Sequence, residues 1–294
     1  MPEIKVSIII VYYDGTESLF NCLNSIKKYP PSFPYEVIVV DNNEKKVIER
    51  ELKKDFGWVK YIKSPKNLGY GAGNNLGVKY SRGEYILILN PDTKVKKGSI
   101  DKLIDFLDRN KDVGVVAPNL IDDKGRVFQQ LGSRELTPIR GVFALSFLNK
   151  IFPNNPISRG YYLYDVPMDQ KREADVVPGS AFLIRRSVFQ EVGGFDENIF
   201  LFFEESDLGR RIRKAGYKLF IIPDSEIFHF WKGKGDGSDK LKRIFRESRF
   251  YYFKKHFGIF SAVLVEIFAR FSKRIFIFMI IFVFFIFVLY NLLR

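Results

Sequence analysis

VSIIIVYY, residues 6–13, is a continuous apolar, β-branched run. A strand of this kind reads as one buried on both faces. Working outward, Thr16–Lys28 places Leu19, Phe20, Leu23 and Ile26 at helical spacing, and EVIVV (residues 36–40) is a second buried strand closing on Asp41. The alternation continues with helix-like Lys45–Phe56, strand-like Val59–Ile62, helix-like Tyr70–Ser81, the strand YILIL (Tyr85–Leu89), helix-like Ser99–Arg109 and strand-like Val113–Ala117. Strands alternating with helices predict an α/β fold with a doubly wound, mostly parallel sheet and right-handed crossovers. Ligands of such sheets sit beyond the carboxyl ends of the strands.

Beyond that half the pattern loosens. Arg134–Asp175 carries prolines at 138, 153, 156 and 167 and a Tyr161, Tyr162, Tyr164 cluster. A surface excursion and a wall of an acceptor site both fit it. Regularity returns with strand-like Ala181–Arg185, helix-like Phe203–Ala215 and strand-like Lys218–Ile222.

The chain has 294 residues, 46% hydrophobic and 28% charged, which suits a large packed domain rather than disorder. Its single cysteine, Cys22, excludes an internal disulfide and reads as a small buried hydrophobe in a reducing compartment. The net charge of +13 is local: twelve Lys/Arg face four acidic residues between Lys232 and Arg274, directly before an apolar run. That placement fits an anionic membrane surface, and no zinc-finger, RNA-binding or basic-zipper spacing supports nucleic acid. Ile275–Leu293 is uncharged for nineteen residues, roughly 28 Å as a helix, close to a bilayer's hydrocarbon core. Lys273 and Arg274 precede it, so a single C-terminal span with the large domain cytoplasmic is expected. No secretory leader is expected, since Met-Pro-Glu leads straight into the first strand. The expected organisation is a catalytic domain over 1–238, basic surface helices over 239–274 and the span over 275–293.

Chemistry-bearing residues gather at strand ends. Asp41 closes VIVVD, and Asn90-Pro91-Asp92 closes YILILN. Each alone also fits a turn. Together they flank Asn67-Leu68-Gly69-Tyr70-Gly71-Ala72-Gly73-Asn74-Asn75, whose glycines would let a backbone approach a ligand closely. No GxxxxGK or GxGxxG loop is present. Val11, Tyr12, Asp41, Asn67, Gly69, Gly73, Asn74, Asn90 and Asp92 form the expected donor-binding set. Glu204, Glu205 and Asp207 open a helix whose N-terminus favours negative charge. Asp207 and Arg211 are spaced for a supporting i,i+4 pair, expected to face outward. Glu204 or Glu205, following apolar Ile199–Phe203, could take a proton from a hydroxyl. His229, after strand-like Ile221–Phe228, reads on its own as structural.

With those segments in view, the chain resembles family 2 glycosyltransferases of the GT-A fold, in their rhamnosyltransferase-like branch. VSIIIVYY, VIVVDNN, NLGYGAGNN, ILILNPDT, PGSAFLIRR, VGGFDENIFLFFEESDLGRRIRKAG and the His229 to Ser238 stretch carry the likeness, covering about residues 6–238. The resemblance implies that Asp41 binds the nucleotide base and that Asp92 is the surviving acid of a DxD-type motif. It further implies His229 as a second ligand to Mg²⁺ or Mn²⁺, and Glu205 as general base. Asn90 departs from a strict DxD, and Glu205 stands where the family usually has Asp. The implied reaction inverts the anomeric carbon of a nucleotide-sugar during transfer to a glycan or lipid-linked hydroxyl. No Gln-x-x-Arg-Trp occurs, which argues against a processive synthase. Two other readings remain: a membrane-anchored sugar-nucleotide or glycan-binding protein, and a nucleotidyltransferase. The latter would need a basic Gly-rich signature, and residues 11–15 (VYYDG) hold no Arg or Lys.

Overall fold

A computed structural model describes residues 3–45, 47–128, 131–230 and 238–270. These form two compact units, 3–135 with 162–248 and 136–161 with 249–270. Ile275–Leu293 lies outside the described residues. Among the described residues no helix is long and apolar enough to cross a membrane.

In the first unit the chain runs β1 (Val6–Tyr12), α1 (Thr16–Lys28), β2 (Tyr35–Asp41), α2 (Glu49–Asp55), β3 (Lys60–Lys63), α3 (Tyr70–Lys79), β4 (Tyr85–Leu89), β5 (Thr93–Val95), α4 (Ser99–Arg109) and β6 (Val113–Ile121). The second unit contributes α5 (Pro138–Ala144), α6 (Leu148–Ile151) and α7 (Pro156–Tyr161). The first resumes with β7 (Arg172–Ala174), β8 (Ala181–Arg185), α8 (Arg186–Glu191), α9 (Glu204–Lys214) and β9 (Lys218–His229). Last comes α10 (Asp239–Arg270), broken at Gly258.

Nine strands of the described residues make one sheet in the order β3-β2-β1-β4-β8-β6-β9-β5, with β7 also on β9. The sheet is mixed, which corrects the expectation of a mostly parallel one. β1–β2, β1–β4, β2–β3 and β6–β9 pair parallel, whereas β4–β8, β6–β8, β5–β9 and β7–β9 pair antiparallel. The crossover helices α1 and α3 enforce parallel pairing up to β4; β8 arrives after a long excursion and inserts reversed between β4 and β6. Its start, not its end, therefore lies beside the end of β4, where Leu89 pairs Ala181.

The core is apolar on both sheet faces: β4 and β6 are buried throughout, and α1 and α4 turn Leu19, Leu23, Ile26, Ile100, Leu103, Ile104 and Leu107 inward. α3 lies unusually close to the sheet. A Cβ at Gly73 would come within 2.9 Å of Val11 Cγ1 and 2.8 Å of Asn42 Nδ2, and Gly77 packs directly on Ile9.

In the second unit, Arg249 Nε lies 2.6 Å from Glu266 Oε1. Seventeen residues of straight helix would separate them by about 26 Å. The chain therefore doubles back at Gly258, whose φ of 83° is a left-handed value that favours glycine. The arms 249–257 and 259–270 bury Tyr252, Phe253, Ala262 and Val265, and the Phe253 ring covers Gly141 of α5.

Candidate active site

The site is built where β4 ends and β8 begins. The turn after β4 is held by Asn90: its N–H donates to Ser180 O at 2.8 Å, and its carbonyl accepts from Thr93 Oγ1 at 2.7 Å. This aims Asp92 outward. β5 then pairs with β9 in a register that sets Thr93 opposite His229, and Phe230 N–H donates to Asp92 O. His229 Nε2 and Asp92 Oδ1 are consequently 3.4 Å apart. Asp92 Oδ1 is buried yet has no hydrogen-bond partner. Two donor atoms about 3 Å apart suit neighbouring positions on an octahedral cation. An open pocket beside them is walled by Asp92, Thr93 and Lys94 on one side and by Glu17, Ser18 and Asn21 of α1 on the other. Among the described residues no group of three or more His, Cys, Asp or Glu could hold a metal. Asp92 and His229 are thus a two-residue donor set, compatible with a cation whose other ligands are substrate phosphates and water.

On the opposite wall, Phe202 and Phe203 both adopt left-handed φ values, 71° and 70°. For aromatic residues this is strained backbone, and it persists because the surroundings over-determine it. Both rings pack on Phe245, at centroid distances of 5.3 and 5.1 Å, and Ser248 Oγ donates to Leu201 O. The twisted pair starts α9 with its carboxylates turned to the sheet. Glu204 is 2% exposed, and its Oε2 has no partner. Burial, reinforced by the neighbouring Glu205 charge, pushes its carboxyl well above the usual carboxylate range. Glu205 is half-buried, and burial raises its carboxyl too. Its side chain lies over Gly179: a Cβ there would sit 2.6 Å from Glu205 Cδ. Asp207 and Arg211 do pair, Oδ2 to Nη2 at 2.6 Å, but Asp207 is fully buried and Arg211 also donates to Val192 O. The pair faces inward, correcting the outward orientation expected from spacing. Elsewhere on α9, Arg210 and Arg213 pair with Glu135, and Arg213 with Asp175, all of them partly buried.

Tyr70 joins the two walls. Its hydroxyl donates to Gly179 O, its N–H donates to Phe200 O at 2.9 Å, and its ring packs edge-on against Phe195. Burial, then the charges of Glu205 and Glu204, push its phenol well above the ordinary value. The space that the glycines of this segment leave is taken up by neighbouring side chains and backbone. Gly69 (φ 83°) faces the Phe200 carbonyl, Gly71 the Phe195 ring and Gly73 the Asn42 side chain. Asn67 Oδ1 accepts from Gly69 N–H, and Asn74 Nδ2 donates to Tyr70 O. Val11 packs beside Gly73, and Tyr12 is buried with its hydroxyl on Thr16.

Asp41 is also fully buried and already engaged. Its Oδ2 accepts from Tyr61 at 2.6 Å, and its Oδ1 accepts from Asn43 N–H at 2.9 Å with Lys63 Nζ at 3.3 Å. Asn42 Nδ2 ties the same turn to Gly69 O. Tyr61, Lys63, Tyr70 and Gly179 were not singled out from sequence. Gly179, inside PGSAFLIRR, and Tyr70, inside NLGYGAGNN, did lie in segments already marked.

Comparison with known proteins places this geometry. In structure the chain is similar to GalNAc-T7 solved with UDP, GalNAc and Mn²⁺, with a TM-score of 0.59 at 18% identity over 86% of this chain; it spans 51% of that chain. It is also similar to S. aureus TarS 1–349, with a TM-score of 0.53 at 17% identity, covering 86% and 73% of the two chains. These likenesses show the fold, that of GT-A glycosyltransferases. In sequence it is 29% identical over 222 residues to the N-acetylglucosaminyl-diphospho-decaprenol L-rhamnosyltransferase of Mycobacterium tuberculosis, covering 72% of this chain and 71% of the relative. It is 27% identical over 235 residues to rhamnosyltransferase WbbL of Escherichia coli, covering 76% and 83%. The family description "Glycosyl transferase family 2" matches residues 7–193, and the chain belongs to that family of glycosyltransferases.

Proposed function

We propose that the protein transfers a sugar, with inversion, from a nucleotide-sugar to a hydroxyl of a lipid-linked or cell-surface glycan. The observation that carries this reading is the convergence on Gly179–Ser180. Glu205 lies over Gly179, Tyr70 holds its carbonyl, and Ser180 anchors the turn presenting Asp92. Glu205 acts as general base: it is the less buried residue of the pair, and burial makes its carboxyl a stronger proton acceptor. Glu204 lies deeper, its carboxyl pushed well above the usual range by burial and by the Glu205 charge. Asp92 and His229 would hold a divalent cation, which when bound neutralises the diphosphate leaving group. Asn90 positions that turn. Asp41 organises the turn beneath the nucleotide through Tyr61 and Lys63. Phe200 and its neighbours keep water from competing with the acceptor.

The rhamnosyltransferase names of two relatives favour a deoxyhexose donor, and the diphospho-decaprenol in one of those names favours a diphosphate-linked lipid acceptor. The uncharged run Ile275–Leu293 and its basic approach support a C-terminal anchor, with the enzyme on the cytoplasmic face. Glu205→Gln keeps size and hydrogen bonding but accepts no proton. Transfer should fall by roughly 10²–10⁴ with donor affinity retained. If Glu205→Gln turns over at the wild-type rate while Glu204→Gln is dead, the roles are exchanged.

A further inference from the structure

The second unit has an unusual surface. Its described residues carry three Arg/Lys in 136–161 and four in 249–270, against a single acidic residue, Glu266. That carboxylate is buried between Arg249 and Arg270 and is spent internally. The arm 259–270 divides cleanly. Ala262, Val265 and Glu266 face inward, whereas Ile259, Phe260, Val263, Leu264 and Ile267 are 44–89% exposed. At 100° per residue those five fall within an arc of about 140°. Phe260, 89% exposed, stands two residues beyond the reversal at Gly258, and exposed Lys254 and Lys255 precede it on the other arm. Ile139 and Phe152 of the same unit are also exposed, at 64% and 53%.

A contiguous apolar stripe of this size marks a contact surface. Its charge selects the partner. Lysines at the rim of a fully exposed Phe, with no free carboxylate among the unit's described residues, complement phosphate headgroups above an acyl layer. Lys stems can lie along that layer while their ammonium groups stay in water.

We propose that the tip of this hairpin, from Lys254 to Val263, docks into the interface of an anionic bilayer with Phe260 inserted. This is a peripheral contact separate from the apolar run Ile275–Leu293, and it rests on the reading of the protein as a membrane-associated glycosyltransferase.

Cys22 is the chain's one cysteine and is buried. A Phe260→Cys variant of the full chain can therefore carry an environment-sensitive fluorophore at one site. The labelled protein is reconstituted into phosphatidylcholine bilayers, with and without phosphatidylglycerol, that contain a lipid-borne quencher. The expected result is a blue-shifted label, quenched severalfold more strongly with phosphatidylglycerol. Lys254→Glu with Lys255→Glu should abolish that dependence without lowering Tm. A label that stays water-exposed in both bilayers overturns the proposal. So does one that lipid quenches equally in both, because the tail alone then holds it. A label shielded from water but untouched by the lipid quencher also overturns it, with the chain's own tail or, where shielding depends on concentration, a second copy covering the face. Sugar transfer is measured on the same samples. Its absence with intact quenching sinks the enzymatic reading and leaves the docking standing.

Discussion

Gly179→Ala tests the site more sharply than removal of any charged group. Its backbone is not among the left-handed glycines, so alanine fits the main chain without strain. The new Cβ would lie 2.6 Å from Glu205 Cδ and 2.8 Å from Glu205 Cγ, where ordinary contact begins near 3.4 Å. The obstruction is the end of a flexible side chain, so the fold survives and the carboxyl swings away by about 1 Å or more. A displacement of that size in a reacting group costs about 10²-fold in rate. The expected outcome is a kcat near one hundredth of wild type, with Tm and donor Kd almost unchanged. Rates come from single-turnover transfer of labelled sugar, donor Kd from calorimetric titration. Wild-type turnover by Gly179→Ala would refute the placement of Glu205 at the reacting centre. A collapse in Tm would refute the claim that only the side chain yields.

Gly69→Ala behaves oppositely. Its φ of 83° and the Phe200 carbonyl carbon only 2.9 Å from the added Cβ involve backbone, so a loss of about 1–3 kcal/mol by chemical denaturation is expected, and an unchanged midpoint would contradict the packing described. Glu204 sets a pH signature. A carboxyl raised in the folded state contributes stability fully below its unfolded pKa, about 4.3, and loses it as pH rises through the folded value. Glu204→Gln cannot ionise, so its Tm should climb relative to wild type from about pH 4 towards neutrality; parallel curves would remove the buried-charge argument. Asp92→Ala and His229→Ala should each weaken Mn²⁺-dependent donor binding while leaving metal-free binding alone, and unchanged Mn²⁺ dependence in both would dissolve the proposed ligand pair.

Much of the architecture was legible because it repeats simple periods. Thr16–Lys28, Ser99–Arg109 and Ala181–Arg185 stand in the structure with the bounds their patterns suggest. The direction of β8 was not legible: AFLIR is an apolar run that looks alike from either end, and only the path of the preceding chain reverses it. β5 and β7, three residues each, are too short to show a period. The glycine segment announced that Cβ atoms are excluded, but composition does not say which atoms exclude them; here they are Phe200, Phe195, Asn42, Val11 and Ile9. Asp92 was visible as chemistry at a strand end and His229 only through the family resemblance, whereas the geometry of their meeting depends on the β5–β9 register. Tyr70 was hidden because one tyrosine at a helix start carries no pattern. Its role appears only when Gly179, over a hundred residues away, is brought beneath its hydroxyl.

The reversed strand has an evolutionary side. β1 to β3 each leave this edge of the sheet through their own crossover helix, so changing a loop there disturbs the pairing of the next strand. β8 enters at that edge, and the chain just before it, from β7 to Ser180, brings Gly179 against Glu205 without belonging to any parallel crossover. Variation in this entry segment can reshape what meets Glu205 while the parallel strands β1 to β4 keep their pairing. The fold thereby separates a conservative half from an editable one, and a sister enzyme could change acceptor by exchanging a short approach to a single strand.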